Sequence, residues 1–172
     1  MPAPAAPHEI PSDQWCTPAW VLDLVRRLGP IELDPCGNAR SIVGARREFR
    51  LERGEDGLAR RWGGGAGLLV FTNPPYSRGN LGRWMAKCRE EAADGAEVIA
   101  LVPADTSTRW WHEEVRRAAA FSLLKRRVRF LGAVNGSPKF GSALVYWGPR
   151  PEAFREAMRS DGWVFLSRRA GK

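Results

Sequence analysis

The chain of 172 residues is 44% hydrophobic and 27% charged, the proportions of one globular domain and not of a disordered tail. Its longest apolar runs are five or six residues, far short of the ~20 that a membrane helix needs, and the opening MPAPAAPHEIP lacks both the basic start and the apolar stretch of a secretory signal. Twenty-seven cations face 19 acids, a formal charge of +8, and all but four of the cations are arginine; arginine's donor fork matches phosphate, which favours a polyanionic partner such as nucleic acid.

Residues 1–12, rich in proline and alanine, read as a flexible arm, which leaves 13–172 as the folded domain. Thr17 and Pro18 predict a helix start, with Thr17 as N-cap and Pro18 in the first helical position. Val21, Leu24, Val25 and Leu28 then share one helical face, and Gly29-Pro30 ends the helix. Residues 31–33 predict a short strand stopping at the turn-rich Asp34-Pro35-Cys36-Gly37-Asn38, and residues 47–51 a second strand. After a glycine cluster, residues 68–72 form a continuous apolar run, the pattern of a parallel strand covered on both faces. That run stops at Asn73-Pro74-Pro75-Tyr76. Leu81, Trp84, Met85, Cys88 and Ala92 mark a helix with Asn80 as cap and Gly95 as stop. Residues 98–102 predict a buried strand, 110–120 a helix, 122–131 a strand among basic residues, 143–147 a strand, 151–159 a helix and 163–166 a last strand. Alternating strands and helices predict an α/β fold: a mostly parallel sheet wrapped by helices. Ligands of such sheets bind at the carboxyl ends of the strands, so the segments 34–36 and 73–76 are expected on one rim.

The stretch Asn73-Pro74-Pro75-Tyr76 carries the most chemistry. An exocyclic amine on a nucleobase is a poor nucleophile because its lone pair is delocalised into the ring. Two acceptors on its two N–H bonds localise that pair. The Asn73 side-chain oxygen supplies one acceptor and the Pro74 carbonyl the other. Pro75 fixes the turn and offers no competing N–H. Tyr76 can stack on a base swung out of the helix. The three cysteines and two histidines are scattered, with no C-x-x-C and no paired histidines. That pattern supports neither a zinc site nor a disulfide framework, and fits a reducing, cytoplasmic setting.

Residues 109–129 hold seven cations against two acids, with Trp110, Trp111 and Phe121 interleaved, a composition suited to phosphate contact and base stacking. Trp111, Val115 and Ala119 fall on a core-facing stripe. Arg109, Trp110, His112, Arg126, Arg127 and Arg129 are the contact candidates. Ser77 and Arg78 beside the proline turn, and Lys139 with Asn135 and Ser137 in the loop 132–141, join them. With no separate recognition domain, sequence preference is expected to be short and read by loops.

These residues resemble the amino-group DNA methyltransferases that use S-adenosylmethionine, and more narrowly the phage-type DNA N6-adenine methyltransferase family. The resemblance rests on Asp13-Gln14-Trp15-Cys16-Thr17-Pro18, Leu33-Asp34-Pro35-Cys36, Asp56-Gly57-Leu58 with Trp62, Asn73-Pro74-Pro75-Tyr76-Ser77, and the segment 101–106 with Trp110-Trp111-His112. It implies a Rossmann-like methyltransferase fold, S-adenosylmethionine as cofactor, no metal, DNA as partner with a flipped adenine, and a monomer or weak dimer in a host-cell cytoplasm. It also implies that Trp15, Thr17 and Pro18 approach the methionine end of the cofactor, and that Asp34, Pro35 and Cys36 form the first cofactor loop with Asp34 on the amino group. By analogy with dinucleotide folds an acid about 20 residues past the first strand holds the ribose; Glu52, Glu55 and Asp56 lie in range, with Asp56 favoured for the ribose or, alternatively, the cofactor's adenine. After Asp34 the chain has Pro-Cys-Gly-Asn where the wider superfamily has a G-x-G loop. Cytosine N4, RNA or protein glutamine as the methylated group, and a DNA-binding protein without catalysis, stay open as alternatives.

Overall fold

The computed structural model describes residues 11–63, 65–77, 79–133 and 138–167. Seven strands form one sheet: β1 (Leu33–Gly37), β2 (Arg47–Arg50), β3 (Leu69–Thr72), β4 (Glu97–Pro103), β5 (Ala120–Leu124), β6 (Ser142–Trp147) and β7 (Gly162–Leu166). Their order is β2-β1-β3-β4-β6-β5-β7. The pairs β1–β2, β1–β3 and β3–β4 are parallel, whereas β4–β6, β5–β6 and β5–β7 are antiparallel. The sheet is therefore mixed, which corrects the expectation of a mostly parallel one. The reason lies in one connection. Strand β5 ends at the same rim as β4, and β6 begins at that rim, so β6 runs back between them.

Helices α1 (Ala19–Arg26) and α4 (Pro151–Met158) cover one face, and α2 (Asn80–Ala93) and α3 (Arg109–Glu113) the other. Along β4, Ile99 and Leu101 pack under α1 and α4, while Val98, Ala100 and Val102 pack under α2 and α3. A strand covered on both faces carries apolar residues at every position, as the run 98–102 does. Each fully buried Leu, Ile or Val of this kind contributes about 1.5–3 kcal/mol. Among the described residues, no helix is long and apolar enough to cross a membrane.

Several local expectations change. Asn80 is the first residue of α2, whose N-cap is Gly79 in the left-handed region, so Asn80 does not cap; the strand expected over 122–131 is β5, which ends at Leu124. Pro18 is the N-cap of α1 and no side chain caps it, so Thr17 lies outside the helix and does not cap. Strand β1 runs through Asp34-Pro35-Cys36 instead of stopping before them, with an irregular register between Asp34 and Gly37; Pro35 has no N–H for the ladder, which fits a bulge there. The helix expected over 110–120 ends at Glu113 and becomes a 3-10 turn, Val115–Arg117, because Ala119 and Ala120 are drawn into pairing with Tyr146 of β6. Of the expected N-terminal arm, residues 1–10 lie outside the described residues, and Ser12–Gln14 form a 3-10 turn.

Candidate active site

The parallel half of the sheet has its topological switch between β1 and β3: from β1 the chain winds outward to β2, then crosses back to β3 and on to β4. Crevices open at such points beyond the carboxyl ends of the strands. The expected pairing of segments 34–36 and 73–76 on one rim is present. The Cys36 thiol donates to the Asn73 carbonyl at 3.0 Å and accepts from the Thr72 hydroxyl at 3.5 Å. Burial pushes the Cys36 thiol far up, so it stays a protonated donor.

Asn73 is half-buried and its amide is held at both ends. Nδ2 donates to the Trp15 carbonyl at 2.9 Å, and the Tyr76 hydroxyl donates to Oδ1 at 2.9 Å. The same hydroxyl lies 3.1 Å from the Leu101 carbonyl. The Tyr76 ring meets Phe130 and Phe140 edge-on at centroid distances of 5.9 and 5.8 Å, while Trp15 stacks on Phe130 at 5.7 Å. Burial pushes the Tyr76 hydroxyl up as well.

Two cavities flank the turn. The first, about 690 Å³, has Pro35, Cys36, Asp56 and Pro75 on its wall, within the range of sites for cofactor-sized ligands. It also carries Asp13, Glu52 and Glu55, with Arg40 as the one described cation. In a chain of formal charge +8 this is an acidic pocket, suited to a ligand bearing positive charge. The second cavity, about 950 Å³, has Tyr76, Ser77, Arg109, Trp110 and Phe140 on its wall. Neither cavity has Asn73, Pro74 or Asp34 on its wall, and Pro74 is buried; Pro75 faces the first cavity and Tyr76 the second.

Asp34 lies just behind the first cavity, 4% exposed. Its carboxylate accepts from the Cys36 N–H at 3.1 Å and from the Ser41 hydroxyl at 3.5 Å. Burial lifts its pKa to about 7, and Glu48 adds to the lift. Trp15, Thr17 and Pro18 are not on the cavity wall either. Thr17 is buried, and its hydroxyl has no partner among the described residues. Asp56 is on the wall; its Oδ1 accepts the Leu58 N–H at 2.9 Å, which shapes the turn. The next residue must be glycine, since a Cβ at Gly57 would fall 2.0 Å from the Pro35 carbonyl oxygen.

Sequence reasoning misses several wall residues. In the sequence Asn38 and Arg40 read as loop and Trp84 as core, yet all three line the first cavity. Asp13 also ties the N-terminal turn to the site by accepting the Ser77 N–H at 3.0 Å; its place in the Asp13–Pro18 motif is the available signal.

The nucleic-acid candidates divide. Arg127, Arg129 and Lys139 stand on the connection that leaves and re-enters the sheet at the active rim, and all three are exposed. Arg127 donates to the Pro138 carbonyl at 3.0 Å. Arg126 is exposed too but engaged, 4.3 Å above Trp20 and 3.1 Å from Asp161. Arg109 is paired with Glu113 at 2.6 Å. Trp110 is half-buried against Trp111, and His112 is exposed on α3. Arg78, Asn135 and Ser137 lie outside the described residues.

The fold and the site define an α/β protein with an Asn-Pro-Pro-Tyr turn at the switch point of its sheet. The family model "DNA N-6-adenine-methyltransferase (Dam)" matches residues 6–146, and the chain belongs to that family. A DNA N-6-adenine-methyltransferase of Escherichia phage T1 is 31% identical over 108 residues, which span 62% of this chain and 42% of the phage protein. The match thus covers less than half the length of that curated relative. No solved structure matches the chain.

Proposed function

We propose that this chain transfers a methyl group from S-adenosylmethionine to the exocyclic N6 amine of adenine in DNA, with the base swung out of the duplex, on a Rossmann-like methyltransferase scaffold. The observation that carries the reading is the position of the Asn73–Tyr76 turn. It stands at the β1/β3 switch with an acid-lined cavity on its Pro75 side and an aromatic groove on its Tyr76 side. Family membership supports the same reading.

The residues of the first cavity fit the cofactor. Its net acidity suits an ammonium and a sulfonium together. Asp56, Glu52 and Glu55 offer acceptors for ribose hydroxyls, and Asp34, behind Pro35 and Cys36, is the carboxylate that an incoming ammonium would keep ionised. When bound, S-adenosylmethionine supplies a methyl group made electrophilic by its sulfonium.

Every other contribution belongs to the chain. Asn73 Oδ1 and the Pro74 carbonyl accept the two N–H bonds of the adenine amine and draw its lone pair out of the ring. The Tyr76 ring, braced by Phe130 and Phe140, offers a stacking face. The turn aligns the nitrogen with the methyl carbon, so positioning does most of the catalytic work, and the displaced proton leaves to solvent. The exposed Arg127, Arg129 and Lys139 hold DNA phosphates at the rim.

Calorimetric titration with S-adenosylmethionine, together with single-turnover transfer to DNA, tests this division of labour. Asn73→Ala should keep cofactor affinity and lose transfer. Wild-type transfer in that variant, or no cofactor binding by the native chain, contradicts the proposal.

A further inference from the structure

Within the proposed reaction, the network around Asn73 goes beyond the need for an acceptor. A carboxamide can sit in its pocket in two ways that differ by a half-turn, and only one presents oxygen to a substrate N–H. Here both ends are committed. The Trp15 carbonyl, 2.9 Å from Nδ2, tolerates only a donor. With Nδ2 held by the Trp15 carbonyl, Oδ1 faces the Tyr76 hydroxyl at 2.9 Å and receives its single proton, for which the Leu101 carbonyl at 3.1 Å is the competing acceptor. One lone pair of Oδ1 is left over. The Trp15 carbonyl is itself fixed: its neighbour Cys16 makes a two-bond bridge with Leu131, at 3.0 and 2.9 Å, and the Trp15 ring is stacked on Phe130.

We propose that the Trp15 main-chain carbonyl and the Tyr76 hydroxyl are positioning groups that orient the Asn73 amide and make this position specific for asparagine over the isosteric aspartate. A carboxylate here would set one of its oxygens against the Trp15 carbonyl with no proton between them. Trp15 thereby acts on the reaction through its main chain, and its side chain is not on the wall of the first cavity. This inference rests on the methyltransferase reading for its activity arm only.

Asn73→Asp and Tyr76→Phe test it between pH 5 and 8.5, with the native chain as baseline. The titratable groups facing residue 73 are Tyr76 from its own turn and Cys36 from β1, with Asp34 behind Cys36; Leu101 of β4 and Trp15 contribute carbonyls. Tyr76 and Cys36 stay protonated throughout this range, and Asp34, which titrates within it, is present in both chains. In Asn73→Asp the new acid must be protonated to donate to Trp15. Its ionisation is disfavoured in the fold, so stability is lost as pH rises and restored as pH falls. The melting-temperature deficit against the native chain should therefore grow from pH 5 to pH 8.5. Turnover at pH 8 should fall by about 100-fold and recover in part toward pH 6, while cofactor affinity stays within about twofold. Tyr76→Phe keeps the stacking ring and should lower kcat by about tenfold with KM for DNA unchanged.

A pH-independent stability deficit in Asn73→Asp, or native turnover in it at pH 8, overturns the amide's specificity. A kcat within twofold of native in Tyr76→Phe overturns the part given to the hydroxyl. If the native chain transfers no methyl group to DNA, the functional reading falls, and the pH-dependent melting still decides the amide's orientation.

Discussion

Asp34 should lower the stability of its own fold, and replacing it with asparagine should reveal by how much. An ordinary aspartate titrates near 3.8, and burial holds this one at about 7. The folded chain therefore binds its proton more tightly than the unfolded chain does. The sign follows from linkage: stability falls as pH rises from about 4 to about 7 and is level beyond. At about 1.4 kcal/mol per pH unit the whole effect is about 4 kcal/mol above pH 7, an upper bound, since local relaxation softens it. The substituted amide would keep the acceptor for the Cys36 N–H. It would also offer a donor toward Glu48, whose carboxylate and that of Asp34 both border the Cβ position of Gly37. If half of the effect is realised, about 2 kcal/mol, Asp34→Asn should melt about 4–8 °C above the native chain at pH 8. The gain should shrink toward zero near pH 4. Thermal melts across that range, without cofactor, read the difference directly, because the two chains differ only at residue 34. An Asp34→Asn chain less stable than native at pH 8, or a gap that does not change with pH, refutes the reasoning.

The same variant should bind S-adenosylmethionine at least about tenfold more weakly at pH 8, since the charge partner of the ammonium is gone; calorimetry with unchanged affinity would move that contact elsewhere. Gly57→Ala should destabilise the chain by about 3 kcal/mol or more and weaken cofactor binding with it, because the added Cβ meets the rigid Pro35 carbonyl at 2.0 Å and forces the Asp56 turn off the cavity; a native melting temperature would count against this packing. Arg129→Ala and Lys139→Ala should each weaken DNA binding evenly across sequences and reduce the slope of log affinity against log salt by about 1. A slope unchanged in both variants would take the DNA off this part of the rim.

Much of the scaffold is legible in the chain because burial dictates it. Strands β3, β4 and β6 are solid apolar runs, and helix α2 shows its stripe through Trp84, Met85 and Cys88. Direction is not legible in the same way: β4 is parallel to β3 and antiparallel to β6, yet both β4 and β6 are buried at every position. Which rim β6 starts from depends on its connection to β5, and connections leave no periodic trace in a sequence. The Asn73–Tyr76 turn stands out because it pairs two prolines with an amide and an aromatic ring at a strand end. Its partner at Trp15 does not, since a main-chain carbonyl is the same for every residue and only the fold reveals where it points. That the rim carries two cavities is not legible either; the same turn stands between them, with Pro75 facing one and Tyr76 the other.

The most direct test of the proposed reaction uses S-adenosylmethionine labelled in its methyl group, unmethylated DNA and the native chain, with the DNA then digested to nucleosides. Label should appear in N6-methyladenine with the native chain and be absent after Asn73→Ala. Label on cytosine, or unlabelled DNA with the native chain, contradicts that chemistry.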